Sequence, residues 1–242
     1  MNVVVLLGAP GAGKGTQAPL LAARLGIPVV ATGDLFRAAV RDGTPLGLEA
    51  RRFMDAGRLV PDEITVRLLL ERLARADASE GVILDGFPRT AVQAAALDAA
   101  LAQRGACVSS AVLVDVPADE LIRRMSGRWI CRGSGHPYHE VSSPPRVAGV
   151  CDLDGSELYQ RADDQPDTIR VRMDQQLGAL REVIEHYRSG DTLRTVNGLQ
   201  GIDDVAAAID AQLAAAGICG AGGFASPSAP STAGAAGGTS GA

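Results

Sequence analysis

The sequence predicts an α/β fold, a doubly wound parallel sheet with helices on both faces. Three observations predict it. The run Asn2 to Leu7 (Asn-Val-Val-Val-Leu-Leu) is apolar and rich in β-branched residues without alternation, the pattern of a strand buried on both faces. A glycine-rich stretch follows directly, and Gln17 to Leu25 then carries apolar residues at helical spacing. Further along, short apolar runs keep alternating with longer helical patterns, as they do where parallel strands are joined by crossover helices.

The remaining strands are expected at Pro28 to Ala31, Gly81 to Leu84 and Ala111 to Val116, with a fifth at Leu193 to Val196. Helical patterns fall at Leu35 to Ala39, Asp62 to Ala74, Thr90 to Gln103, Ala118 to Ser126, Pro166 to Arg188 and Ile202 to Leu213. Residues 127–164 break this rhythm: they are rich in Gly, Pro, Ser, Cys and His and read as a small inserted domain. From 214 to 242 the chain is mostly Gly, Ala, Ser and Pro with no charge, too little apolar surface to offset the entropy of ordering, so a disordered tail is expected.

With 23 basic against 28 acidic residues and a net charge of -5, the chain is a poor general binder of nucleic acid or anionic membrane, and neither partner is expected. The apolar start has no basic residues before it and leads straight into Gly13-Lys14-Gly15-Thr16, so it reads as an uncleaved N-terminus of a cytoplasmic protein. Four cysteines do not make a disulfide framework at this length. A monomer is the expected state. One detail is unusual: Lys14 is the only lysine, every other basic side chain being Arg, as if an ammonium were kept at the one place where a planar guanidinium does not fit.

The segment Gly8-Ala9-Pro10-Gly11-Ala12-Gly13-Lys14-Gly15-Thr16 has the spacing Gly-x4-Gly-Lys followed by Gly-Thr. Between a strand and a helix, Gly11, Ala12, Gly13 and Gly15 allow backbone N–H groups to curl around nucleotide phosphates, Lys14 reaches the outer phosphates, and Thr16 orients a magnesium ion or its waters.

Together with Ala-Thr-Gly-Asp-Leu-Phe-Arg at 31–37, Gly-Arg-Leu-Val-Pro-Asp at 57–62, Asp-Gly-Phe-Pro-Arg-Thr at 85–90 with Gln93, and Gln-Arg-Ala-Asp-Asp at 160–164, that loop resembles adenylate kinases over residues 1 to about 213. The resemblance implies a core made of residues 1–30, 61–126 and 165–213, a helical AMP-binding insert at 31–60 and a small lid insert at 127–164. The implied reaction is direct, reversible, Mg-dependent transfer between ATP and AMP. The AMP site would consist of Thr32, Arg37, Arg58, Leu59, Val60, Gly86, Phe87, Pro88, Arg89 and Gln93, the last reading the adenine edge. Arg161 and Arg172 would bridge to AMP or the moving phosphate, while Arg124, Arg128, Pro137, Tyr138 and Gln200 would join the loop in holding ATP. Lys14, Arg89, Arg128, Arg161, Arg172 and Asp85 form the implied catalytic set, Asp85 ordering water on magnesium. A kinase for UMP or CMP, or a non-enzymatic ATP-binding module, is the alternative. The long insert, Thr32 with Gln93, and the arginine-rich acceptor site argue against both.

Many members of that family tie the lid with zinc through a Cys-x2-Cys pair and a second Cys-x2-Cys or Cys-x2-Asp pair. The matching residues here are Cys131, Ser134, Cys151 and Asp154. Serine is a poor zinc ligand, so the expected lid is metal-free and hydrogen-bonded; the alternative is zinc on Cys131, Cys151 and Asp154, with nearby His136 as a fourth donor.

Overall fold

The structure, a computed structural model, describes residues 1–218. Strands β1 (Asn2–Leu7), β2 (Val29–Ala31), β3 (Gly81–Asp85), β4 (Val108–Asp115) and β8 (Leu193–Asn197) form one sheet in the order β2-β3-β1-β4-β8, with every neighbouring pair parallel. The unbroken apolar run of β1 is explained by its central position. Val4 and Leu6 face one layer of the core while Val3, Val5 and Leu7 face the other, and each is at most 2 % exposed.

The first layer is closed by α1 (Lys14–Leu25), α6 (Ala118–Ser126) and α8 (Ile202–Ala215), through Leu21, Leu121, Met125, Ile209 and Leu213. The opposite layer is closed by α4 (Asp62–Leu73) and α5 (Ala91–Ala102), through Leu69, Leu97 and Leu101. The long helix α7 (Pro166–Ser189) serves both: Ile169 and Met173 pack into the first layer, and Val183 and Tyr187 into the second. The expected doubly wound sheet is therefore present.

Two smaller cores stand outside this sheet. Helices α2 (Thr32–Arg41) and α3 (Pro45–Asp55) pack around Phe36, Ala50 and Val60. The sequence reading expects a helical insert here but places only one helical pattern in it, ending at Ala39, and none at α3. In fact Thr44 is the N-cap, its hydroxyl accepting from the Gly47 N–H, and Pro45 occupies the first turn, where its missing N–H costs nothing. Gly47 allows the close approach of the two helices: a Cβ there would lie 2.1 Å from the Ala39 carbonyl oxygen.

The second small core belongs to the insert, an antiparallel sheet of β5 (Arg128–Cys131), β6 (Pro137–His139) and β7 (Leu158–Tyr159) in the order β6-β5-β7. It closes over Cys131, Tyr138, Cys151 and Leu158. At the C-terminal end the expected boundary at 213 is too early. Helix α8 runs on to Ala215 and Ile218 is buried against the sheet layer, while the rest of the expected tail lies outside the described residues. Among the described residues no helix is long and apolar enough to cross a membrane.

Candidate active site

The loop between β1 and α1 gathers its groups at the carboxyl ends of the central strands. Gly13, the residue before α1, has φ 98°, a left-handed conformation that a side chain would strain, and it offers no side-chain cap. The first N–H groups of α1 therefore point into the loop, where they suit an anion. Lys14 Nζ donates to the carbonyl oxygens of Gly8 at 2.7 Å and Ala9 at 3.0 Å, spanning the loop from within. Desolvation by burial lowers the Lys14 ammonium to a pKa of about 8; Asp85 opposes the shift, and Arg89, Arg172 and Arg128 add to it.

That set of influences shows which expected residues come together. Asp85 ends β3, level with Leu6 of β1 and Ala31 of β2, and its carboxylate is 3.5 Å from the position a Cβ on Gly15 would take. The next carbonyl, Gly86, accepts both from the Thr32 hydroxyl and from Arg89 Nε, each at 2.8 Å. One backbone group thus links the start of α2 to Arg89. Burial, then Arg172, lowers Arg89 to a pKa of about 10 against the pull of Asp85. Gln93 is 1 % exposed; its Oε1 accepts from the Arg89 N–H at 2.8 Å and its Nε2 donates to Asp62 at 2.7 Å. A cleft of about 370 Å³ leads from Gly15 and Asp85 to Asp34 and Leu35 of α2.

On the insert side, Arg128 makes a two-pronged ion pair with Asp164, its Nε donating to Oδ2 at 2.8 Å. Arg172 donates to the same carboxylate at 3.0 Å and to the Asp163 carbonyl at 2.7 Å, and it pairs with the Asp163 carboxylate at 3.1 Å. Arg161 stands among cations: burial, then Arg37 and Arg128, lowers it to a pKa of about 10, and its Nε is buried without a hydrogen-bond partner. Burial pushes the Asp163 carboxyl up, but Arg172, Arg128, Arg161 and Arg37 more than reverse this and hold it below the ordinary value. Sequence reasoning quotes this Asp-Asp pair without giving it a task. Two adjacent carboxylates between Arg161 and Arg172 were the available signal.

Other expected residues lie farther from this centre. Arg124 pairs with Glu120 at 2.7 Å and donates to the Gly198 carbonyl at 2.9 Å, near the exposed Gln200. Arg58 and Pro137 are exposed, Leu59 is half-buried, and Val60, Phe87 and Pro88 are buried in the packing. Arg37 pairs with Asp34 on α2. Tyr138, expected to help hold ATP, has its side chain in the small insert core. It is 5 % exposed there, and its hydroxyl accepts the Asp152 N–H at 2.7 Å and donates to Cys151 Sγ at 3.5 Å.

The candidate metal residues do converge: donor atoms of Cys131, Cys151 and Asp154 lie within 4.8 Å of one another. Cys131 Sγ donates to the two Asp154 oxygens at 3.3 and 3.4 Å and accepts the Ser134 N–H at 3.3 Å. The Ser134 hydroxyl is 4.0 Å from Cys151 Sγ. His136 is not part of this group. Its ring packs edge-on against Tyr138, with centroids 4.9 Å apart.

Comparison with known proteins identifies the family. The adenylate kinase family model matches residues 6–192. An adenylate kinase of Lysinibacillus sphaericus is 48 % identical over 213 residues, covering 88 % of this chain and 98 % of the relative. Adenylate kinases of Listeria monocytogenes and Streptomyces griseus are each 47 % identical, over 202 and 205 residues, both covering 84 % of this chain and 94 % of the relative. The family model and these relatives lead to one statement: the chain belongs to the adenylate kinase family.

Proposed function

We propose that phosphoryl transfer takes place in front of the β1–α1 loop, between Lys14 on the ATP side and Arg89 with Arg172 on the AMP side. The chain is an adenylate kinase, a phosphotransferase that moves a phosphoryl group reversibly between ATP and AMP. The observation that carries the residue assignment is geometric: Lys14 Nζ rests on the Gly8 and Ala9 carbonyls, Arg89 is held on the Gly86 carbonyl next to Asp85, and Asp164 joins Arg128 of β5 to Arg172 of α7. Bringing four cations this close is unfavourable in itself. It becomes favourable when two polyphosphate nucleotides lie end to end between them.

In this reading the AMP phosphate attacks the γ-phosphorus of ATP in line, the ADP oxygen leaves on the opposite side, and no protein nucleophile is needed. Lys14 follows charge from the outer phosphates to the leaving oxygen. Arg89 and Arg172 hold the attacking phosphate, Arg37 and Arg58 its approach, while Arg128 and Arg161 neutralise the moving group. Thr32, Leu59, Val60 and Gln93 hold the AMP base, and Arg124 with the Gln200 backbone the ATP base; Tyr138 contributes through its backbone, since its hydroxyl is engaged. Adenylate kinases use magnesium with ATP, and the ion supplies charge neutralisation on the phosphates when bound. Asp85 and Thr16 would orient its waters. Residues 31–60 and 127–164 act as movable parts that exclude water, and the separate small cores around Phe36 and Tyr138 support that division.

With Mg-ATP and AMP, a coupled assay is expected to register two ADP per turnover, with AMP preferred over UMP and CMP. Folded protein without AMP-dependent ADP formation would overturn the assignment.

For the lid, the proposed state is metal-free. Two thiols and a carboxylate fall one strong ligand short of a tetrahedral zinc site, and the same atoms are already joined to one another, to Ser134 and to Tyr138 by hydrogen bonds. Protein purified without chelator is expected to carry no stoichiometric zinc by elemental analysis. Zinc at parity with chain would reverse this.

A further inference from the structure

We propose that Asp62 is a positioning residue that sets base specificity by locking the orientation of the Gln93 amide. The inference rests on the reading of Gln93 as the group facing the AMP base. Gln93 comes from the third position of α5, behind the Thr90 N-cap whose hydroxyl accepts the Gln93 N–H at 3.1 Å. Asp62 comes from the first turn of α4, 31 residues away, and is half-buried. Capping of α5 gives no reason for that second contact.

The two partners of the amide are one-directional. A carboxylate only accepts, so it requires Nε2 on its side; a backbone N–H only donates, so Arg89 requires Oε1 on its own. Turning the amide over would set oxygen against carboxylate and N–H against N–H, at a residue only 1 % exposed. In the locked orientation each end keeps one unused position, an N–H at Nε2 and a lone pair at Oε1. That donor–acceptor order complements the N1 acceptor and 6-amino donor of adenine. A 6-oxo purine carries an N1–H and an O6 acceptor, the reverse order, and meets two like-facing contacts. Discrimination against the 6-oxo base is therefore built into Asp62 as much as into Gln93.

The test compares kcat/KM for AMP and for inosine monophosphate, at saturating Mg-ATP, in the parent protein and in Asp62→Ala, Asp62→Asn and Gln93→Ala. Asp62→Ala is expected to reduce the AMP-to-IMP ratio about tenfold, mostly through a higher KM for AMP, because one side of the lock is gone. Asp62→Asn keeps the shape and fold but can donate as well as accept, so it is expected to lower the ratio by a smaller factor. A purely structural role for Asp62 would lower both substrates in parallel and leave the ratio unchanged, which overturns the inference. If Gln93→Ala lowers the ratio and neither Asp62 variant does, the lock is wrong and the reading of Gln93 stands. A ratio unchanged in all three removes the reading of Gln93 itself.

Discussion

Lys14→Arg is expected to lower kcat by about two to three orders of magnitude although the charge is kept, the usual loss when a preorganised transition-state donor is displaced. The ammonium fits between the carbonyls of Gly8 and Ala9, inside a loop whose curvature depends on glycine at positions 11 and 13. A guanidinium is planar, wider and points its donors in fixed directions, so it cannot occupy that slot and still follow charge onto the leaving oxygen. Rapid-quench turnover measurements on the variant, with circular dichroism to establish folding, would decide this; near-normal turnover would remove Lys14 from the chemistry. The same desolvation gives a pH dependence. With a folded-state pKa of about 8, the free enzyme carries the charged ammonium below that value and loses it above. Since kcat/KM for ATP reports the free enzyme, it is expected to be level below pH about 8 and to fall towards tenfold per unit above it. Bound phosphate favours the charged form, so kcat at saturation should decline only at higher pH.

Asp164→Ala is expected to cost roughly 3–5 kcal/mol of stability, the range for removing one partner of a buried ion pair. Its side chain is fully buried and serves both Arg128 and Arg172, whose side chains are 22 % and 10 % exposed. Removing it takes the paired carboxylate from Arg128 and leaves Arg172 with Asp163 alone. For a domain of this size the melting temperature should fall by roughly 6–20 °C. Asp164→Asn, which retains an acceptor without charge, should fall between parent and alanine variant. Urea unfolding gives the free energies; a change inside about 1 kcal/mol, the size of an exposed surface pair, would show that the carboxylate is not the anchor of this cluster.

The main sheet and the phosphate loop could be read from the sequence because their signals are local. An unbroken β-branched run specifies β1, and the glycine spacing specifies the turn after it. The arginines of the site were found through the resemblance, and the structure brings Arg89, Arg128, Arg161 and Arg172 close enough to influence one another or Lys14. What escaped depends on tertiary contact. The role of Asp163 and Asp164 appears only when β5 and α7 meet across them. The packing task of Tyr138 was likewise not legible: its ring fills the small insert core and its hydroxyl accepts the Asp152 N–H. Helix α3 was hidden because Pro45 and Gly47, which look like breakers, serve as a first-turn residue and a helix contact.

The strand order also matters while the chain is being made. β1 is synthesised first but pairs with β3 and β4, so the valine-rich segment Val3–Leu7 has no sheet neighbour until residues 81–85 and 108–115 have emerged. The far edge closes later still, when Leu193–Asn197 reaches β4. Parallel pairing at such separations is slow and leaves apolar strands open to association between nascent chains. The helical pair α2–α3 and the small antiparallel sheet need only near neighbours in sequence, and they can form during that wait.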